Sequence, residues 1–310
     1  AWGLWTYSGP GPAAREGQST TVFLRRGASL PEIASTLQRS HVIGSSALFV
    51  AAAQLTGGSR ALKAGEYEVA SRASLASILA DIRAGRVVRH MITIPEGMTS
   101  QAVAEVLARS SILTGVAPTP PEGAVLPETY QVERGEDRAA VLKRMMDDRD
   151  ALLAQLWAER QAGLPFTTPD EAVTLASIVE KETGVASERP RVAAVFVNRL
   201  RQGMRLESDP TVIYGVSGGR PLGRGLTVTE LATATPYNTY MISGLPPTAI
   251  ANPGREALAA VLDPPKTNEL FFVADGSGGH AFAATYEEHR KNVARWRAVE
   301  KTRAAKTAAR

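Results

Sequence analysis

The stretch 168–184 specifies one helix from start to finish. Thr168 is placed to cap its N-terminus, Pro169 occupies the first helical position, where a missing N–H costs nothing, and Glu171 stands at N3, ready to close a capping box. Gly184 breaks the run. Between them Ala172, Leu175, Ala176 and Val179 recur at i, i+3, i+4 and i+7, an apolar stripe facing a core. Continued by one more turn, the stripe lands on Glu182 and Thr183, whereas Glu180 falls off it on the Ser177 side. Two positions apart, the carboxylates diverge by about 200° around the axis, so they cannot enter the same cleft.

A glutamate at the end of an apolar stripe is partly removed from water. That disfavours its charged form and raises its pKa, and the negative end of the helix dipole pushes the same way. A carboxyl that holds its proton near neutrality can deliver it to a glycosidic oxygen. Spacing alone equally allows Glu182 to be an ordinary surface residue at a frayed helix end.

The rest of the chain reads as α+β. Residues 20–24 (TTVFL) form a strand. Ser29, Leu30 and Glu32 open a capped helix with Ile33, Leu37 and Val42 on one side. A second helix covers 46–55 and stops at Gly57-Gly58. Residues 65–69 alternate as a strand, 74–84 form a third helix on Leu75, Ile78, Leu79 and Ile82, and 87–94 form a strand ending at Pro95-Glu96-Gly97. Helices broken by the Pro/Gly-rich stretch 117–123 follow, then a charged helix over about 137–161. With 310 residues and 44% apolar content, one large or two smaller domains can be packed. There is no Cys, so disulfides are excluded, and four scattered His make a zinc site a poor reading; no cofactor is expected. The net charge of +4 is spread too thinly to indicate nucleic acid.

Several segments carry unusual polar groups. Residues 187–203 read as a helix with Val192, Val195, Phe196 and Leu200 inward and Asn198 and Arg199 as its polar residues of interest, closing at Gly203. Asp209 before Pro210 is a capping or turn residue, or a sugar contact or orienter of the acid. Residues 235–240 (TPYNTY) gather Tyr237, Asn238 and Tyr240. Rings can cover the apolar faces of a sugar, and an amide both donates and accepts; the same residues would serve as a turn with core tyrosines. Residues 244–254 form a rigid turn-rich loop, and the glycines of 275–280 fit a hairpin loop and no phosphate-binding fingerprint.

Taken together, LKAGEYEV (62–69), IPEGMTS (94–100), LASIVEKET (175–183), AAVFVNRLRQGMRLESDPTVIYG (193–215), TPYNTYMISGLPPTAIANPG (235–254) and LFFVADGSGGHAF (270–282) closely resemble the MltG (YceG-like) endolytic murein transglycosylases, in the expected order over about residues 20–295. The resemblance implies a small LysM-like α/β module over 20–95 followed by a larger α+β catalytic domain over 96–300, with a membrane-proximal linker over 1–19 and a basic tail over 301–310 expected to fray. It implies cleavage of the MurNAc–GlcNAc bond within nascent peptidoglycan strands, leaving 1,6-anhydro-MurNAc ends. The family's acid lies in the VEKE stretch and maps onto Glu182, with Glu180 the second candidate; the neighbouring Thr183 hydroxyl is expected to steady it. Glu180, Asp209, Tyr237, Asn238 and Tyr240 are the expected substrate contacts. Partners implied are glycan strands, cell-wall synthases and the plasma membrane, the last through an N-terminal anchor preceding the aromatic stretch AWGLWTY (1–7), with the catalytic domain on the wall side. Two other readings stay open: a hydrolytic muramidase using Asp209 or Glu207 as second carboxylate, and a non-catalytic wall-binding scaffold.

Overall fold

The structure is a computed structural model that describes residues 6–57 and 62–308. In chain order its elements are β1 (Ser19–Leu24), α1 (Leu30–Arg39), α2 (Ser46–Leu55), β2 (Gly65–Ala70), α3 (Leu75–Ala84), β3 (Arg89–Thr93), α4 (Ser100–Arg109), β4 (Thr129–Glu133), α5 (Arg138–Ala158), α6 (Pro169–Glu182), α7 (Arg189–Arg201), α8 (Asp209–Ser217), α9 (Val228–Ala232), α10 (Arg255–Leu262), β5 (Phe271–Ala274), β6 (His280–Ala283) and α11 (Tyr286–Ala308). A 3-10 turn, Ala186–Glu188, leads into α7. This is the α+β class. Residues 1–5 of the aromatic N-terminal stretch, and Gly58 of the expected helix stop, lie outside the described residues. No helix among the described residues is long and apolar enough to cross a membrane.

The chain divides into two compact units. The first holds Ala1–Ile92, Arg109–Val116 and Thr129–Val141; the second holds Thr93–Ala108, Ala117–Glu128 and Leu142–Arg310. Segments 109–116 and 129–141 thus belong with the first unit, although sequence order puts them beyond residue 95. Thr114 donates its N–H to Glu136 and Gly135 donates to Ile112, so the two segments fold together, while β4 pairs with β3 and Arg134 pairs with Glu66 of β2 at 2.9 Å, which ties them to the first unit.

In the first unit β1 and β2 pair antiparallel, with Val22 opposite Tyr67. Val22, Leu24, Leu37, Phe49, Tyr67, Leu79 and Ile82 form its core. Helices α1 and α3 start at Ser29 and Ser74, as their caps specify. In the second unit α6 is the central helix. It packs against α7, α8 and α10, and all eight residues from Ala172 to Val179 are buried. It is therefore enclosed on every side rather than on one stripe: Val173 and Ile178 flank the stripe, and the hydroxyls of Thr174 and Ser177 opposite it are satisfied on the helix's own carbonyls. Phe196 on α7 and Leu258 and Val261 on α10 complete this core.

The basic tail does not fray within the described residues: α11 continues to Ala308. Its alanines favour helix, and the Arg303 guanidinium holds it to the β5–β6 loop by donating to the Gly276 carbonyl.

Candidate active site

The start of α6 obeys its sequence signal. Thr168 Oγ1 accepts the Glu171 N–H at 3.2 Å, and the Glu171 carboxylate accepts the Thr168 N–H at 3.1 Å. The Thr167 N–H, which donates to the same carboxylate at 2.7 Å, and then the Thr168 N–H hold Glu171 below the usual carboxylate range. At the other end Thr183 turns extended (φ −136°, ψ 131°), so Glu182 is the last helical residue.

The Glu182 carboxyl is turned towards protein while its residue keeps partial contact with solvent. Burial pushes its pKa up to about 7; a bond from Ser208 opposes this, the Asp209 charge adds to it, and His280 and Arg199 pull it down. Glu182 is consequently a carboxyl that is part protonated at neutral pH. The hydroxyl donating to its Oε1 is that of Ser208, not of Thr183. Thr183 is buried and its Oγ1 instead accepts the Val185 N–H at 3.0 Å, fixing the turn after the helix.

Glu180 corrects an expectation. Its side chain is only 5% exposed and is committed to structure: Oε1 faces the Arg189 guanidinium at 3.4 Å and Oε2 accepts the Gly254 N–H at 2.9 Å. The helix turns it away from Glu182, to the side where Arg189 and the 244–254 loop compensate its charge, so both of its oxygens are already engaged.

Asp209 begins α8, with Ser208 rather than Asp209 at the N-cap. Asp209 is exposed, and the half-buried Tyr240 donates its hydroxyl to Asp209 Oδ1 at 2.7 Å. These two residues are brought beside the acid. Asn238 is not: it is fully buried, its amide N–H groups go to the carbonyls of Leu231 (2.9 Å) and Thr233 (2.7 Å), and its Oδ1 accepts the Tyr240 N–H at 3.0 Å. It shapes the loop that presents Tyr240, with both amide N–H groups committed to backbone carbonyls and its side chain closed off from solvent. Tyr237 packs on Tyr214, ring centroids 5.0 Å apart, and bonds Thr248 at 2.8 Å.

The remaining motif residues support this arrangement. Arg199 is buried in α7 and donates to the carbonyls of Arg205 and Leu206, each at 3.0 Å, fixing the turn that precedes Ser208. Asn198 donates to Thr267 and Glu269 carbonyls. Ser177, buried in α6, accepts the Ile250 N–H at 3.0 Å, and Asn252 joins Val125, Met98 and Ser100. The 94–100 and 244–254 motifs are thus scaffolds for α6. His280 on β6 is held through both its N–H and its ring by Glu188, each at 2.8 Å. Ser208, Thr211, Thr239 and the Glu188–His280 pair escaped sequence reading; the only local sign was that Ser208, beside Asp209, is itself a cap-forming residue. Among the described residues no three His, Asp or Glu converge to hold a metal.

Comparison with known proteins places this geometry in context. The YceG-like family model matches residues 22–295. An endolytic murein transglycosylase of Bacillus subtilis (strain 168) is 27% identical, covering 90% of this chain and 86% of the relative. Another of Streptococcus pneumoniae (strain D39) is 26% identical, covering 88% of this chain but 58% of the relative. The crystal structure of a yceG-like protein from Listeria monocytogenes superposes with a TM-score of 0.54 at 27% identity, covering 89% of this chain and 99% of that one. With a family match spanning most of its length and a solved relative of the same architecture, the chain belongs to the YceG-like family.

Proposed function

We propose that this chain is a lytic transglycosylase that cuts within peptidoglycan strands at the MurNAc–GlcNAc bond, leaving 1,6-anhydro-MurNAc ends, with Glu182 as acid and then base. The relatives named endolytic murein transglycosylase support the substrate class. The observation that carries the mechanism is a single carboxyl, Glu182, whose pKa burial pushes up to about 7 at the end of a helix whose middle, Ala172 to Val179, is buried throughout.

In its protonated form Glu182 donates to the glycosidic oxygen as the bond to the MurNAc anomeric carbon breaks. The substrate's own N-acetyl group stabilises the charge on that carbon. Glu182, now a carboxylate, takes the proton from the MurNAc 6-hydroxyl as its oxygen closes the anhydro ring. The acid is restored and no water is consumed. Asp209 and Tyr240 contact the sugar, and the 20–95 module is LysM-like. A wall-facing, membrane-tethered location and contact with wall synthases belong to the same reading; the Trp and Tyr residues within 2–7 support the former.

The exposed Asp209 beside the acid favours one alternative, a muramidase in which it serves as the second carboxylate that hydrolysis requires. Incubation with purified uncrosslinked glycan strands and mass spectrometry of the ends separates the readings. Anhydro ends are expected; reducing ends would assign hydrolysis, and binding without new ends would assign a scaffold.

A further inference from the structure

Ser208 occupies the N-cap of α8, where a serine hydroxyl ordinarily accepts a backbone N–H from the first turn. Its side chain makes no such bond. The hydroxyl instead leaves the helix and donates to Glu182 Oε1. Forgoing a cap weakens a short helix, so another interaction must hold Ser208 in place.

That hold is a closed ring of hydrogen bonds on its backbone. The Ser208 N–H donates to Thr239 Oγ1 at 2.9 Å, and Thr211 Oγ1 donates to the Ser208 carbonyl at 2.7 Å. The two threonine hydroxyls lie 2.8 Å apart. Each hydroxyl has one proton; that of Thr211 is already given to Ser208, so Thr239 donates to Thr211 and the ring closes in one sense. Ser208, Thr211 and Thr239 are all buried, at 1%, 0% and 0% exposure. Just before them Glu207 adopts φ +54°, a left-handed conformation uncommon for a residue with a Cβ. Arg199, bound to the Arg205 and Leu206 carbonyls, holds that turn. The backbone of Ser208 is thereby clamped at both its N–H and its C=O, and the hydroxyl is left with a single carboxyl oxygen to serve.

We infer that Ser208 is a positioning residue for the reaction: by donating to Oε1 it confines the acid's proton to Oε2, the oxygen that must face the glycosidic bond. This rests on the transglycosylase reading of Glu182. In the first step the Oε2 proton passes to the glycosidic oxygen, which leaves with the bonding pair. The carboxylate that remains keeps the Ser208 bond on Oε1, so Oε2 alone is open to take the 6-hydroxyl proton. One oxygen therefore serves as both acid and base, and Ser208 itself exchanges no proton.

The test is the pH profile of glycan cleavage by Ser208→Ala. The hydroxyl favours the ionised carboxyl, so its loss is expected to move the falling limb to higher pH, by about one unit, and to lower kcat about tenfold or more with KM little changed. Thr239→Val, which opens the ring while leaving Ser208 in place, is expected to act in the same direction more weakly. Thr239→Ser, which keeps the ring, is expected to retain near wild-type kcat. Should Ser208→Ala not fold, the Thr239 pair gives the same reading. A limb and a kcat unchanged in Ser208→Ala, or Thr239→Val equal to Thr239→Ser when Ser208→Ala is unfolded, would overturn the inference. If instead Glu182→Gln cleaves normally, it is the role of Glu182 that has failed.

Discussion

Glu180 and Glu182 leave the same helix to opposite sides, one held by Arg189 and Gly254, the other meeting the Ser208 hydroxyl. Two residues of identical chemistry thus meet different surroundings. Glu180 has a cation and a backbone N–H to stabilise its charge. Glu182 has no ion-pair partner among the described residues and is pushed up to about 7 by burial.

The first consequence is kinetic. Glu182 must carry its proton for the first step, so kcat/KM for glycan cleavage is expected to fall as pH rises through about 7, tenfold per unit beyond it. Initial rates between pH 5 and 9 check this. The limb should be lost from whatever residual rate Glu182→Gln shows.

The same carboxyl makes folding stability depend on pH. Its folded pKa lies above the ordinary 4.5, so the folded state binds the extra proton. The favourable contribution is complete below about 4.5 and is lost as pH rises through about 7. Glu182→Gln removes the charge and keeps an oxygen for Ser208. It is expected to match the wild type near pH 4 and to exceed it at pH 8 by on the order of 3 kcal/mol, read from denaturant unfolding at both pH values.

Glu180→Gln should act on stability instead. Arg189, 9% exposed, would keep only Glu96 at 3.5 Å as its ionic partner. A loss of about 2 kcal/mol is expected, below the full cost of a broken buried pair because Glu96 remains. Thermal unfolding measures it, and cleavage per folded molecule should stay within a few-fold of wild type.

The YNTY segment offers a second contrast. Asn238→Ala leaves the Leu231 and Thr233 carbonyls without their donor inside the protein and should cost roughly 1–3 kcal/mol while lowering kcat through the loop. Tyr240→Phe removes only the hydroxyl on Asp209. It should leave the melting temperature nearly unchanged and raise KM several-fold. Steady-state kinetics alongside melting curves distinguishes the two.

How far the sequence reveals this site follows from the range of each interaction. Capping at Thr168, Ser29 and Ser74 acts over three residues, and those helices begin where their caps stand. The divergence of Glu180 and Glu182 is helix geometry and was equally legible. The Ser208–Glu182 bond joins positions 26 residues apart, and the Thr211–Thr239 contact 28. No periodicity encodes them. Asn238 looked like a sugar ligand because amides suit sugars; only its burial reveals that backbone carbonyls have claimed its donors. The apolar stripe of α6 understated the helix, since enclosure on all sides comes from α7, α8 and α10 packing around it.

The most direct measurement is cleavage of purified glycan strands by Glu182→Gln, with new ends counted by mass spectrometry and the fold checked by circular dichroism. A folded variant that generates no anhydro-MurNAc ends is the expected result. A folded variant generating them at the wild-type rate would contradict the assignment of Glu182 as the proton donor.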